Sequence, residues 1–182
     1  ITIGWTGTFS SKIYLQSIER VLKKLAKDVD FKLIIIGNFE YKIDGVEYEL
    51  IQWNAASEIE DLNKIDIGIY PLIDSKWVLG KSGLKALQYM AIGIPTVATD
   101  VGTSSDIIEN MKDGILVNND EEWIDALKYL ILNPNARKKM GNNARKKIEK
   151  FYSTDVIKYK YLEVFDNLSK INVGMIFSSG EM

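Results

Sequence analysis

Cysteine and histidine are both absent from the 182-residue sequence. Without cysteine there is no disulfide framework and no thiolate chemistry, which agrees with a cytoplasmic setting. Without histidine, a Ser-His-Asp triad, an imidazole general base and a histidine-ligated zinc site are all excluded. Neither sign of charge dominates. The chain carries 23 basic and 25 acidic residues, for a net charge of −2, which argues against a general nucleic-acid binder. No apolar run approaches the roughly 18 residues that a membrane helix needs. No secretory signal is expected ahead of Ile1. The chain opens inside an alternating apolar segment, ITIGWTG, so a fragment of a longer protein is expected. No internal repeat or low-complexity linker interrupts it. The length suits one ordinary domain, which buries roughly 70% of its unfolded surface without disulfides or a structural metal.

What is present is an alternation of two periods. Residues 1–7 read as a strand ending in a glycine turn. Tyr14, Ile18, Val21, Leu22 and Leu25 then recur at helical spacing. FKLIIIG, residues 31–37, is a continuous apolar run closed by glycine, the signature of a strand buried on both faces of a parallel sheet. Further strands are expected at residues 46–53, 66–72, 95–99 and 114–118. A short helix capped by Ser57 falls between the third and fourth. From residue 121 the chain reads as helical. EEWIDALKYLIL is amphipathic, and Asn133-Pro134 restarts a helix whose apolar face is Met140, Ala144, Ile148 and Phe151. A last helix begins near Ser153-Thr154. The expected fold is α/β: a Rossmann-like parallel sheet of about six strands flanked by helices on both faces. Residues 1–171 form the domain, and residues 172–182 are a tail without clear pattern.

The most informative stretch is GKSGLKALQYMAIGIPTVATDVG, residues 80–102. In a doubly wound sheet, ligands bind beyond the carboxyl ends of the strands. The helix that follows the strand DIGIYPL has its N-terminus there. With the helix numbered from Ser82, Leu84, Leu87, Met90 and Ala91 fall on the sheet side. Lys81, Lys85 and Gln88 share the other side. Free backbone N–H groups and the helix dipole favour an anion at that end. Gly80 and Gly83 let the backbone approach a ligand closely. A capped surface helix with two solvated lysines explains the spacing equally well, so both readings stand at this point.

On these residues the chain resembles the donor-binding half of the group 1 (family 4) retaining glycosyltransferases, which have the two-domain GT-B fold. The family pattern is a glutamate, a glycine-rich helix start, a second glutamate eight positions on, and then AMA-x-G-x-PVVA. LQYMAIGIPTVAT matches its second half. DIGIYPL, VGTSSDIIENMKDGILV and PNARKKMGNNARKKIEKFYS follow in the family's order, and the likeness runs to about Leu168. Gly80 and Gln88 occupy the two glutamate positions. The chain is similar to a branch of the family carrying GK-x-G-x-K-x-x-QYMA in their place. Thr8 stands where the first glycine loop usually has arginine, with Lys12 nearby.

The resemblance implies a glycosyltransferase that binds a nucleotide-diphospho-sugar and transfers the glycosyl group with retention. No metal or other cofactor is expected, and the acceptor would bind an N-terminal domain outside this chain. Lys81 and Lys85, with the amides of Ser82 and Gly83, are the expected stabilisers of the leaving diphosphate. Gln88 would hydrogen-bond ribose hydroxyls. By resemblance the first loop, with Gly7 and Thr8, faces the sugar and pyrophosphate, and Trp53 lies near the nucleobase. A turn with a helix cap and a core tryptophan are the plainer alternatives. Thr103 and Ser104 start another helix at the same edge, as ligand contacts or as caps. Trp77 stands in the loop before the motif and is a weaker candidate for the donor pocket. Asp28-Val-Asp30 has a metal-binding spacing but lies before a strand, at the wrong edge. The basic residues of 134–150 form either a solvated face or a peripheral contact with anionic lipid at the cytoplasmic face of a membrane. Two other functions share this architecture: a sugar-nucleotide epimerase and a non-catalytic nucleotide-sugar binder.

Overall fold

The computed structural model describes residues 1–177, with side chains through residue 170. Among the described residues, six strands form one parallel sheet. They are β1 (Thr2–Thr6), β2 (Lys32–Ile36), β3 (Tyr48–Ile51), β4 (Ile67–Tyr70), β5 (Thr96–Thr99) and β6 (Gly114–Val117). Their spatial order is β3-β2-β1-β4-β5-β6, so the winding reverses between β1 and β4. In open α/β sheets that reversal opens a crevice at the carboxyl ends of the two strands.

Alternation along each strand builds two cores. Ile3, Trp5, Leu33, Ile35, Ile67, Ile69 and Val97 face one side. They pack there with α1 (Lys12–Ser17), α2 (Glu19–Leu25) and α6 (Asp120–Leu132). Ile34 and Ile36 face the other side, against Leu62 of α3 (Glu58–Leu62) and Tyr89 of α4 (Leu84–Ala91). Both faces are covered, which explains why the second strand is an unbroken apolar run.

Several boundaries differ from the sequence expectation. The helix expected around residues 14–25 is two helices, parted at Ile18, whose backbone leaves the helical region. Ser57 does precede α3, but its hydroxyl bonds the Asp61 carboxylate at 2.9 Å instead of a backbone amide. The helix of the central motif begins at Leu84, two residues later than expected. Its buried residues are Ala86, Tyr89 and Met90, while Leu84 is exposed. The face is set by Tyr89, whose ring lies where a Cβ on Gly68 would be, 2.5 Å away. Only glycine at that position of β4 admits an aromatic ring so close to the strand.

Two compact units divide the chain, the first spanning Ile1–Lys146 and the second beginning at Lys147. α5 (Ser104–Ile107) belongs to the first unit, and α7 (Pro134–Phe151) carries the chain into the second. Met140, Ala144 and Ile148 of α7 are buried, and Phe151 is exposed. Arg137 and Arg145 of its basic face donate to the carbonyls of Leu130 and Ala91. α8 (Thr154–Phe177) exposes Tyr159, Tyr161 and Phe165. The expected tail begins within α8, and residues 178–182 lie outside the described residues. Among the described residues no helix is long and apolar enough to cross a membrane.

Candidate functional site

A cleft of about 520 Å³ opens at the carboxyl ends of β1 and β4. It lies at the point where the strand order reverses. Its walls come from the turn after β1, the loop after β3, the start of α3, the end of β4 and the segment from Gly80 to Gln88. Gly7, Thr8, Trp53, Gly80, Lys81, Ser82, Gly83, Lys85 and Gln88 all line it.

Each wall has a local cause. After β4 the chain makes a 3-10 turn at Val78–Gly80, and Lys81 follows in extended conformation. Gly83 then takes a left-handed conformation, φ 69°, to begin α4. A Cβ there would lie 2.1 Å from Ile107 Cδ1, so conformation and packing both require glycine. Gly80 differs, because a Cβ on it meets only open space. Lys81 therefore does not belong to the helix. Lys85 and Gln88 share a helical face, as the spacing suggested, and Lys81 reaches the same cleft from the loop.

The two cations are held differently. Lys81 Nζ sits 4.9 Å from the centroid of the Tyr14 ring, a cation–π contact. Lys85 Nζ is 6.0 Å from the Trp5 ring centroid. Burial pushes the Lys85 ammonium below the ordinary lysine value, and repulsion from Lys81 adds to the effect. An anion between the two would offset both effects.

The turn after β1 is ordered by its own hydroxyls. Ser11 Oγ accepts from the Thr8 amide at 2.9 Å, and Thr8 Oγ1 lies 3.0 Å from Ser10 Oγ. One residue earlier in the cleft wall, the Thr6 amide donates to Tyr89 Oη at 2.8 Å. Lys12 instead folds over the Phe9 ring, at 4.9 Å.

The far wall carries a residue that no sequence motif singles out. Glu58 Oε1 accepts from Trp53 Nε1 at 3.0 Å and from Gln88 Nε2 at 3.3 Å. Trp53 is 40% exposed, so it is no core residue, and its indole borders the cleft. Tyr70 and Leu84 also line the space. Only the fold brings these residues together, since 30 positions separate Glu58 from Gln88.

Other candidates fall elsewhere. Thr103 lies behind the cleft wall and donates to the Lys81 carbonyl at 2.8 Å, so it steadies the loop. Ser104 is fully buried and its hydroxyl makes no hydrogen bond among the described residues, which removes it from ligand contact. Trp77 is 78% exposed and outside the cleft wall. Asp28 and Asp30 precede β2, at the opposite edge of the sheet, and Asp28 pairs with Lys128 at 3.1 Å.

Residues 1–133 match the family model "Glycosyl transferases group 1". The chain belongs to the group 1 glycosyltransferases. A D-inositol 3-phosphate glycosyltransferase of Paenarthrobacter aurescens is 29% identical over 149 residues, 72% of this chain and 35% of that protein. The capsular polysaccharide biosynthesis glycosyltransferase CapM of Staphylococcus aureus is 21% identical across 94% of this chain and 47% of its own length. The chain thus spans about a third to a half of these relatives. The C-terminal domain of a group 1 glycosyl transferase from Francisella tularensis shares the fold, with a TM-score of 0.64 at 22% identity, covering 84% of this chain and 86% of that one. TarM of S. aureus, in a structure containing UDP, matches with a TM-score of 0.70 at 21% identity, over 90% of this chain and 35% of its own. In this group 1 chain, Gly80 and Gln88 line the cleft in place of the motif's two glutamates, and the nearby carboxylate comes from Glu58.

Proposed function

We propose that this chain is the donor-binding part of a glycosyltransferase and holds a nucleotide-diphospho-sugar in the cleft between β1 and β4. One observation carries the reading. Lys81, Lys85 and the start of α4 converge on one cleft, and Lys85 is kept there despite a burial that disfavours its charge. Two lysines side by side repel each other unless an anion lies between them. A diphosphate supplies that anion, and the related TarM structure contains UDP.

In the reaction, the bond from the anomeric carbon to the diphosphate oxygen breaks. Its electron pair stays on that oxygen while the acceptor hydroxyl forms the new glycosidic bond and passes its proton to the departing diphosphate oxygen. Charge on the diphosphate grows as the bond breaks. Cations already fixed at that position stabilise the transition state more than the ground state. Lys81 and Lys85 have that role, aided by the amides of Ser82 and Gly83. Gly7 and Thr8 lie against the sugar and pyrophosphate, and the open space beside Gly80 leaves room for the ligand. The new bond forms on the face the diphosphate leaves, so configuration is retained. The acceptor is bound by a second domain.

A thermal-shift panel of UDP-, GDP-, ADP- and CDP-sugars tests the reading, with Lys81→Ala alongside. A cognate donor at 100 times its dissociation constant adds about 2.7 kcal/mol, a rise of roughly 5–11 °C for a chain of this size. Lys81→Ala should lose most of that rise. If no nucleotide sugar moves the wild-type melt at millimolar concentration, the reading fails.

A further inference from the structure

We infer that Glu58 is a specificity-determining residue that accepts hydrogen bonds from the vicinal ribose hydroxyls of the bound nucleotide. The inference rests on the donor-binding reading and adds a contact to it. Its starting point is a carboxylate in an otherwise cationic cleft. Glu58 opens α3, where the helix dipole favours a negative charge, but that alone leaves its neighbours unexplained. Trp53 Nε1 and Gln88 Nε2 donate to the same oxygen from two other elements, at 3.0 and 3.3 Å, and all three residues line the cleft. A carboxylate offers about four acceptor positions. Two are filled at Oε1, and among the described residues Oε2 has no partner.

The charge pattern says what should fill the remaining positions. No ion pair joins Glu58 to Lys81 or Lys85, so the carboxylate does not neutralise the anion site. Half-buried at the wall, it repels phosphate. It attracts a neutral group with two O–H donors close together. A ribose diol is such a group, and a carboxylate on a ribose hydroxyl is a recurring solution in nucleotide sites. The spacing agrees. Lys85 and Gln88 are three residues apart on α4, about 4.5 Å along the axis, the scale of one sugar ring. A diphosphate at the lysines therefore puts the ribose beside Gln88 and Glu58, and the base beside the exposed Trp53. Gln88 fixes the carboxylate and leaves its own amide oxygen as a further acceptor.

The test compares UDP, GDP, ADP and CDP with their 2′-deoxy counterparts by calorimetry on the 182-residue chain. The wild type should favour the best ribonucleotide over its deoxy form by roughly ten- to a hundredfold, the range for a hydrogen bond to a charged acceptor. Glu58→Gln should shrink that ratio to about threefold or less, with the melting temperature unchanged and the dependence on Lys81 intact. If Glu58→Gln does not fold, Trp53→Phe, which removes one of the donors holding the carboxylate, should still narrow the ratio. Equal wild-type affinity for the two forms overturns the role of Glu58 and leaves the donor reading standing, as does a full ratio in Glu58→Gln. Failure of every ribonucleoside diphosphate to bind overturns both.

Discussion

Replacing Tyr89 by phenylalanine removes one oxygen atom and isolates one amide. Even-numbered residues of β1 turn their backbone groups toward β4, as the bond from the Asp66 amide to the Thr2 carbonyl shows. The β1–β4 register ends at Gly4 opposite Gly68. Two residues further on, the Thr6 amide has no β4 partner and donates instead to Tyr89 Oη at 2.8 Å, in a buried position. Burial also holds the phenol well above its ordinary range, so it stays protonated. Phenylalanine keeps the ring over Gly68 but leaves a buried N–H unpaired, which costs about 1–3 kcal/mol. For 150–250 residues each kcal/mol moves the melting point roughly 2–4 °C, so a fall of about 2–12 °C is expected. The assay is thermal unfolding followed by far-ultraviolet dichroism, with urea titration to check that the slope is unchanged. Tyr70→Phe is the control, because the Tyr70 hydroxyl makes no hydrogen bond among the described residues. A Tyr89→Phe melt within about 1 °C of wild type, the scatter of surface changes, would refute the argument.

Lys85 gives a prediction with a sign. Its folded value is lowered from 10.5, so the native state holds that proton less tightly than the unfolded chain. The resulting cost is complete at pH below the folded value and disappears as pH rises toward 10.5. Lys85→Met should therefore melt higher than wild type at pH 7, with the gap closing by pH 10, while its calorimetric affinity for a nucleoside diphosphate falls. Gly68→Ala drives a methyl group into the Tyr89 ring, an overpacking that should cost about 1–3 kcal/mol in the same urea titration.

The sheet was legible because its strands carry short-range signals. Short apolar runs mark six places, two of them closed by glycine at Gly7 and Gly37, and all six became strands. The site was legible only in part. Lys81, Lys85 and Gln88 lie within eight positions of one another, so local spacing could group them. The face of α4 was misjudged because it depends on a glycine in β4 accepting an aromatic ring, a fit between residues 21 positions apart. Glu58 was invisible for the same reason: nothing in SEIEDL separates a cleft carboxylate from a helix-opening acid. Thr103 and Ser104 show the converse. A hydroxyl pair at the correct sheet edge reads as ligand-binding, yet one braces the Lys81 carbonyl and the other is sealed in the core.

Where sequence and packing disagree most is itself informative. Lys85 holds a charge that burial and a neighbouring lysine both oppose. Leu84 exposes an apolar side chain beside it. Glu58 places a carboxylate in the same cleft, and the loop before α4 requires a left-handed glycine. The buried charge of Lys85 and the exposed Leu84 do not help the isolated fold, and a methionine at position 85 would suit it better. A folded chain accumulates such conflicts where another requirement outweighs stability. Here they collect at the one point where the strand order reverses, and their signs are ordered, with cations at the mouth of α4 and an acceptor beside Gln88. Random surface drift would scatter them. A ligand negative at one end and rich in hydroxyl donors at the other would meet the charge demands of Lys85 and Glu58 together.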